Sequence, residues 1–227
     1  MIEATLAGAA RVRFTTAEDG DLGRTDGDPG DARVPAARDA VRRACGLGSI
    51  AGGRQVHGAR VAIVARAEPG YRLASDPSDG QATRLGGVGV AVHVADCLPI
   101  AVAGDGGVAM LHAGWRGLAG GIVAAGVAAL RDLGVDGPLE AAIGPGAGGC
   151  CYEVGDEVHA AFAGVPGASR GRCVDLGAVA RAELAGAGVD RVVELGGCTL
   201  CAPAGLLFSH RRDGPGTGRQ AGIAWLA

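Results

Sequence analysis

Three short apolar runs follow one another between positions 88 and 111, and they constrain the fold more than any other feature of the chain. Residues 88–94, 98–103 and 108–111 are each short and, apart from His93, β-branched or apolar, and each is bounded by Asp or Gly. Apolar runs of this length, punctuated in this way, read as buried strands. The segment at 118–133 that follows is apolar on nearly every helical face, so it reads as a helix covered by other elements. Strands are also expected at 60–67, 139–143, 191–195 and 206–210. Helices are expected at 35–45, 156–162 and 175–184, the last two with Asp near the N-terminus, where the helix dipole favours it. Residues 16–35 and 68–80 read as loops, the second punctuated by Pro69, Gly70, Pro77 and Gly80. The pattern is that of an α+β, or mixed α/β, chain. No linker divides residues 1–227 and no fixed-period repeat is present, so one domain is expected.

Composition sets the kind of core these elements can build. Hydrophobic residues make up 48% of the chain but aromatics only 3%, and there are 43 glycines. Such a core is built from Ala, Val, Leu and Gly and packs through close backbone approach. The formal net charge is -3, with no long basic run, which argues against an electrostatic nucleic-acid binder. A local anion site needs only two or three Arg and stays open. The chain has no Lys, which excludes Schiff-base chemistry and a P-loop lysine. The first residues carry Glu3 and no basic run, so no signal peptide is expected. The longest helix-like apolar stretch falls short of the ~20 residues a bilayer span requires. The expectation is a cytoplasmic protein with no membrane partner. The seven cysteines are odd in number and unevenly spaced, which does not suit a disulfide framework.

Reactive side chains concentrate in four short stretches: Q-V-H-G from Gln55, A-D-C-L-P from Ala95, H-A-G-W-R-G from His112 and S-H-R-R-D-G from Ser209. His57, Cys97 and His112 are good ligands for zinc or copper, and three protein ligands leave one position open, as in catalytic sites. Their spacing is weak support. Taken singly, His57 could cap a turn, Cys97 could be a small buried hydrophobe and His112 a core histidine. Their context strengthens the joint reading: Cys97 lies between Asp96 and Pro99 after an apolar strand. His112 ends another such strand, and Gly114 and Gly117 follow it, permitting close backbone approach. His93 and His159 read as structural and exposed respectively, and His210 as a neighbour supporting the site. Cys198 and Cys201, with Cys150 and Cys151, could form a redox pair or a zinc knuckle, but buried thiols are the simpler expectation.

These stretches, with D-G-Q-A-T from Asp79, A-I-G-P-G-A-G-G-C-C-Y-E-V-G before Asp156 and F-S-H-R-R-D-G-P-G-T-G-R-Q from Phe208, carry a resemblance. The chain resembles the purine nucleoside phosphorylase family of YfiH-like laccase-domain proteins, formerly described as multicopper polyphenol oxidoreductases, from about Phe14 to Leu226. The resemblance implies a layered α/β/β/α domain with mixed sheets. It implies metal ligands at His57, Cys97 and His112, which are also the expected catalytic residues, with zinc as the metal and copper as the alternative. It implies phosphorolysis of adenosine, inosine and methylthioadenosine, with adenosine deaminase activity as well. Bacterial members have also been linked to peptidoglycan editing. The chain departs from the family pattern at Val94, in the glycine-rich 146–149 segment and in lacking Asn, and these departures bear on substrate preference.

For phosphorolysis, Arg116, Arg211, Arg212 and Arg219 are candidates to hold phosphate, because guanidinium forks match its oxygens. Asp79 or Asp96 could stabilise a cationic sugar, by analogy with glycosidases. The H-x-E and P-C-x-x-C signature of ordinary zinc deaminases is absent. Three other readings remain. Five histidines are too few for a trinuclear copper laccase. A Cys-His hydrolase, acting as a peptidoglycan-editing factor, would use Cys97 as nucleophile and His112 as base. A non-enzymatic, metal-dependent partner protein is the third. The oligomeric state stays open, a monomer sufficing.

Overall fold

The computed structural model describes residues 2–23 and 32–227. In chain order the strands are β1 (Ile2–Thr5), β2 (Ala10–Phe14), β3 (Ser49–Arg54), β4 (Val61–Ile63), β5 (Gly70–Pro77), β6 (Gly80–Thr83), β7 (Val88–Val94), β8 (Leu98–Gly104), β9 (Gly107–Ala113), β10 (Glu140–Ile143), β11 (Ser169–Arg170), β12 (Cys173–Val174), β13 (Arg191–Glu194) and β14 (Gln220–Leu226). The α-helices are α1 (Arg33–Ala44), α2 (Trp115–Ala119), α3 (Ile122–Asp132), α4 (Asp156–Ala161), α5 (Leu176–Gly186) and α6 (His210–Asp213). One six-stranded sheet has the order β1-β2-β14-β7-β3-β5 and a second β13-β10-β8-β9-β6-β4. Both are mixed: β3 runs parallel to β5 and β7, and β10 parallel to β13, while β8 and β9 form an antiparallel hairpin.

The apolar runs are continuous because both faces of the central strands are covered. In β8, Ile100 and Val102 point to one layer and Ala101 and Ala103 to another. The inner layer lies between the sheets and joins Val12, Phe14, Val90, Val92, Val94 and Ala224 of the first to Ala101, Val108 and Met110 of the second. On the outer face of the second sheet, Ile122, Val123 and Leu130 of α3 and Leu176, Val179 and Leu184 of α5 cover Ile100, Val102, Ala109 and Leu111. On the outer face of the first, Val41 of α1 packs with Ile50, Ala91, Ile223 and Trp225. The result is an α/β/β/α sandwich. Small residues set its spacing: a Cβ on Gly126 of α3 would fall 2.6 Å from Leu111 Cδ1.

Three expected elements differ. The single helix at 118–133 is two, α2 and α3, separated at Gly120 and at Gly121, whose φ of +83° is left-handed. The expected loop at 68–80 contains β5, an exposed edge strand whose polar residues face solvent and so lack a continuous apolar run. The expected strand at 206–210 is absent. There Ser209 caps a one-turn helix, its side chain accepting from the Arg212 amide. Positions 24–31 of the expected 16–35 loop lie outside the described residues.

Candidate active site

His57, Cys97 and His112 meet where the turn after β3, the link between β7 and β8, and the end of β9 come together. Their ligand atoms all lie within 4.8 Å of one another. The His57 and His112 rings are 4.8 Å apart, edge to face. The floor of this arrangement is Asp79. Its buried carboxylate accepts from the amides of Val56 (3.1 Å), His57 (2.8 Å) and Gly58 (2.9 Å), and from His112 Nδ1 (2.8 Å). Three successive amides can converge on one carboxylate because His57 has a φ of +60°, an arrangement of alternating backbone hand that forms an anion nest. The left-handed conformation is unfavourable for a residue with a Cβ, so the turn holds a side chain there at a conformational cost.

These contacts fix the electrostatics. Burial would raise the Asp79 carboxyl, but the hydrogen bonds from His112 and the backbone amides keep it below its ordinary value. Burial would likewise raise the Cys97 thiol, yet His112 and His57 beside it bring it down to about 6. Burial opposes a charged His112, and the Cys97 sulfur and Asp79 outweigh that, raising it to about 9. Without a metal, the pair is a thiolate facing an imidazolium. The donor set also fits a metal. Asp79 occupies Nδ1 of His112, which leaves Nε2 to coordinate, and a carboxylate behind a ligating imidazole is the usual way such a ring is oriented. Space is reserved as well: a Cβ on Gly114 would fall 2.8 Å from Cys97 Sγ and 3.2 Å from His57 Cδ2.

The trio opens into a cavity of about 670 Å³. Arg116, Arg211 and Arg219 line it, together with His93, Trp115, Tyr152, His210 and Asp96. Arg116 lies over the Trp115 ring (4.3 Å) and Arg211 over Tyr152 (5.3 Å). Arg219 donates to the carbonyls of Thr217 and Gly218. The remaining candidates are engaged by other groups. Asp79 is sealed behind His112 and is not part of the wall. Arg212 donates to Asp213 and to the carbonyls of Thr199, Ala202 and Leu207. Asp96 faces the cavity, but one carboxylate oxygen accepts from Thr199 Oγ1 (2.5 Å) and the other from the Arg211 amide (2.7 Å). Asp96 also has a positive φ, +86°.

His93, expected as structural, hydrogen-bonds Tyr71 at 2.9 Å and still contributes to the wall. Burial lowers its pKa to about 3, so it is a neutral imidazole. His159 is half-buried rather than exposed, through contacts with Ser169 and the Arg172 carbonyl. Trp115 and Tyr152 had no assigned role in the sequence. The signal was available, since both are bulky aromatics beside glycine- or cysteine-rich turns in a chain with few aromatics. Cys150, Cys151, Cys198 and Cys201 are not the buried thiols expected: two are exposed and two half-buried, and they form a second group of converging sulfurs.

Residues 8–227 match the family model described as multi-copper polyphenol oxidoreductase laccase. A protein of Xylella fastidiosa (strain 9a5c) named purine nucleoside phosphorylase is 38% identical, the match covering 100% of this chain and 92% of that one. A protein of Mycobacterium tuberculosis (strain H37Rv) with the same name is 35% identical over 87% of this chain and 82% of its own. The crystal structure of Neisseria meningitidis protein NMB0706 superimposes with a TM-score of 0.83 at 31% identity, covering 100% of this chain and 98% of that chain.

Proposed function

This chain belongs to the multi-copper polyphenol oxidoreductase laccase family, and from that premise we propose that it is a purine nucleoside phosphorylase. Its substrates on this reading are adenosine, inosine and methylthioadenosine, each cleaved by phosphate to the free base and a ribose 1-phosphate or its methylthio analogue. The observation that carries the proposal is the cavity itself: four arginines (Arg54, Arg116, Arg211 and Arg219) and two aromatic rings line one pocket above the His57, Cys97 and His112 group. Guanidinium groups are suited to the oxygens of phosphate, and aromatic faces to a purine ring.

In the reaction, phosphate attacks the anomeric carbon as the bond to the purine nitrogen breaks. The glycosidic electron pair leaves with the base, which takes up a proton. Arg116 is the arginine we assign first to phosphate, because its guanidinium stacks on Trp115 and has no hydrogen bond to another described residue. Arg211 and Arg219 flank it. The sugar becomes cationic, yet the Asp79 carboxylate is sealed away and both oxygens of Asp96 are engaged. The phosphate dianion therefore supplies the opposing charge. His210 is the exposed imidazole on the wall, outside the metal group, that can hand a proton to the leaving base.

His57, Cys97 and His112 would hold zinc. Bound there, the ion would supply Lewis acidity and an activated water, which deamination of adenosine needs and phosphorolysis does not. The Cys-His hydrolase reading has one observation in its favour, the Cys97, His112 and Asp79 line. A nucleophile and base do not require the second imidazole, His57, which shares the same sulfur.

The test is incubation of the purified protein with adenosine, with and without phosphate. Adenine and ribose 1-phosphate should form only with phosphate, and inosine without it. The proposal fails if adenine and ribose 1-phosphate do not form with phosphate present; Cys97→Ala forming inosine at the wild-type rate would remove the metal from the deamination.

A further inference from the structure

Four cysteines that the nucleoside reading leaves unused come together on two separate loops. Cys150 and Cys151 lie on the segment after β10, in a turn closed by the Cys151 and Tyr152 amides on the Gly148 carbonyl (3.0 Å each). Cys198 and Cys201 lie on the segment after β13, in a turn closed by the Ala202 amide on the Cys198 carbonyl (3.0 Å). Backbone pairing aligns the loops, with the Thr199 amide donating to the Gly146 carbonyl at 3.0 Å.

The four sulfurs lie within 4.8 Å of one another. Cys201 Sγ is 2.9 Å from Cys151 Sγ and 3.5 Å from Cys150 Sγ. Zinc–sulfur bonds of ~2.3 Å in a tetrahedron place sulfurs ~3.8 Å apart, so the group has the size of a single ion's shell. Cys198 Sγ already accepts the Gly148 amide at 3.2 Å, the kind of contact that supports a thiolate. A Cβ on Gly148 would fall 3.3 Å from Cys150 Sγ and 3.4 Å from Cys198 Sγ, so glycine keeps the approach clear.

We propose that Cys150, Cys151, Cys198 and Cys201 bind one zinc ion as a closed four-thiolate staple, distinct from the group at His57, Cys97 and His112. Zinc enters as the dication, and up to four thiol protons pass to solvent. All four positions are filled by protein, so this zinc has no open coordination site and is structural. What it staples matters to the cavity. Tyr152 follows Cys151 directly, and Arg211 follows the second loop. Arg211 donates to the Glu153 carbonyl (2.7 Å) and lies over Tyr152. Thr199, next to Cys198, donates to Asp96. The staple thus holds together the two loops that deliver Tyr152 and Arg211 to the wall. It stands whether or not the substrate is a nucleoside.

The test is metal analysis of the full chain purified without chelator, as wild type, Cys97→Ala and a Cys198→Ser/Cys201→Ser double variant. The wild type should hold two zinc ions per chain and each variant one, and the ion kept by Cys97→Ala should be lost when Cys198→Ser/Cys201→Ser is added to it. Cobalt exchanged into Cys97→Ala should give the intense visible bands of a tetrahedral four-thiolate site. If the double variant does not fold, the zinc content and cobalt spectrum of Cys97→Ala decide the matter. Absence of tightly bound metal from Cys97→Ala, iron in place of zinc, or a Cys151–Cys201 disulfide in freshly isolated protein overturns the proposal.

Discussion

The two sulfur-bearing groups are built on opposite plans. His57, Cys97 and His112 are mixed nitrogen and sulfur donors held at the ends of sheet strands, backed by a buried carboxylate and open to a cavity. Cys150, Cys151, Cys198 and Cys201 are four like donors on two loops, with exposure at Cys150 and Cys201. The first group spends its structure on orientation and leaves a position for chemistry. The second fills every position and, among the described residues, has no carboxylate as a hydrogen-bond partner. Three ligands on a rigid frame suit reactivity, and four on loops suit mechanical linkage.

Asp79→Ala should have the largest effect. It leaves the amides of Val56, His57 and Gly58, and Nδ1 of His112, without their common acceptor. Breaking a buried charged pair from one side costs about 3–5 kcal/mol, and loss of such an orienting partner lowers metal affinity roughly 10–100-fold. Denaturant midpoints and zinc titration of the variant should show both losses, with the four-cysteine group still metallated in whatever fraction folds. A variant that binds metal at His57, Cys97 and His112 as the wild type does would remove the basis for treating Asp79 as the positioning residue.

Much of this division was readable in the sequence, and the unread part has physical causes. The buried strands around Cys97 and His112 announce themselves because both faces are apolar. His57, Cys97 and His112 were legible through the motifs around them, since their spacing carries no signal. Asp79 was legible as important but misplaced: its chain position says nothing of the three amides that enclose it. The four-cysteine group was harder still. Cys198-x2-Cys201 is half of a familiar pattern, but the other half is an adjacent pair whose nearness depends on how β10 and β13 align in parallel. Ala10–Phe14 alternates apolar residues with Arg11 and Arg13, yet five alternating residues are slight evidence. Arg13 is in fact buried against Asp19. The edge strand β5 lacks an apolar run because solvent meets most of its side chains.

A second difference should appear as selectivity in alkylation of metal-free protein. The thiolate is the nucleophile. The neighbouring imidazoles bring Cys97 down to about 6, so it should react increasingly as pH rises through that value and be largely reactive at neutral pH. Hydrogen bonding with the Cys151 sulfur is the chief cause that pushes Cys201 up to about 11, so it should stay unreactive until strongly alkaline pH although it is exposed. Mass spectrometry of iodoacetamide-labelled peptides across pH reads both curves. Labelling of Cys201 ahead of Cys97 at neutral pH would mean that exposure, not charge, governs thiol reactivity here. Zinc should protect both groups, each according to its own affinity.

The smallest effects come from adding one methyl group beside each set of sulfurs. Neither Gly114 nor Gly148 has a positive φ, so alanine is conformationally acceptable at both and only contact decides the outcome. At Gly114 the new Cβ would fall 2.8 Å from Cys97 Sγ, inside contact distance. That sulfur is carried on a constrained link between strands and has little room to retreat. Zinc affinity at the first group should fall about tenfold, the lower end of what a disturbed shell costs. At Gly148 the nearest atom, Cys198 Cβ, lies at 3.1 Å, and the sulfurs at 3.3 and 3.4 Å. Those atoms sit on loops that can give by a few tenths of an ångström, so Gly148→Ala should weaken zinc only slightly, well below the Gly114 effect. Competition with a metallochromic chelator measures the two in parallel. The reverse order, with Gly148→Ala the more damaging, would show that the loop group is the more rigid of the two and would invert the division between a stiff reactive site and a compliant staple.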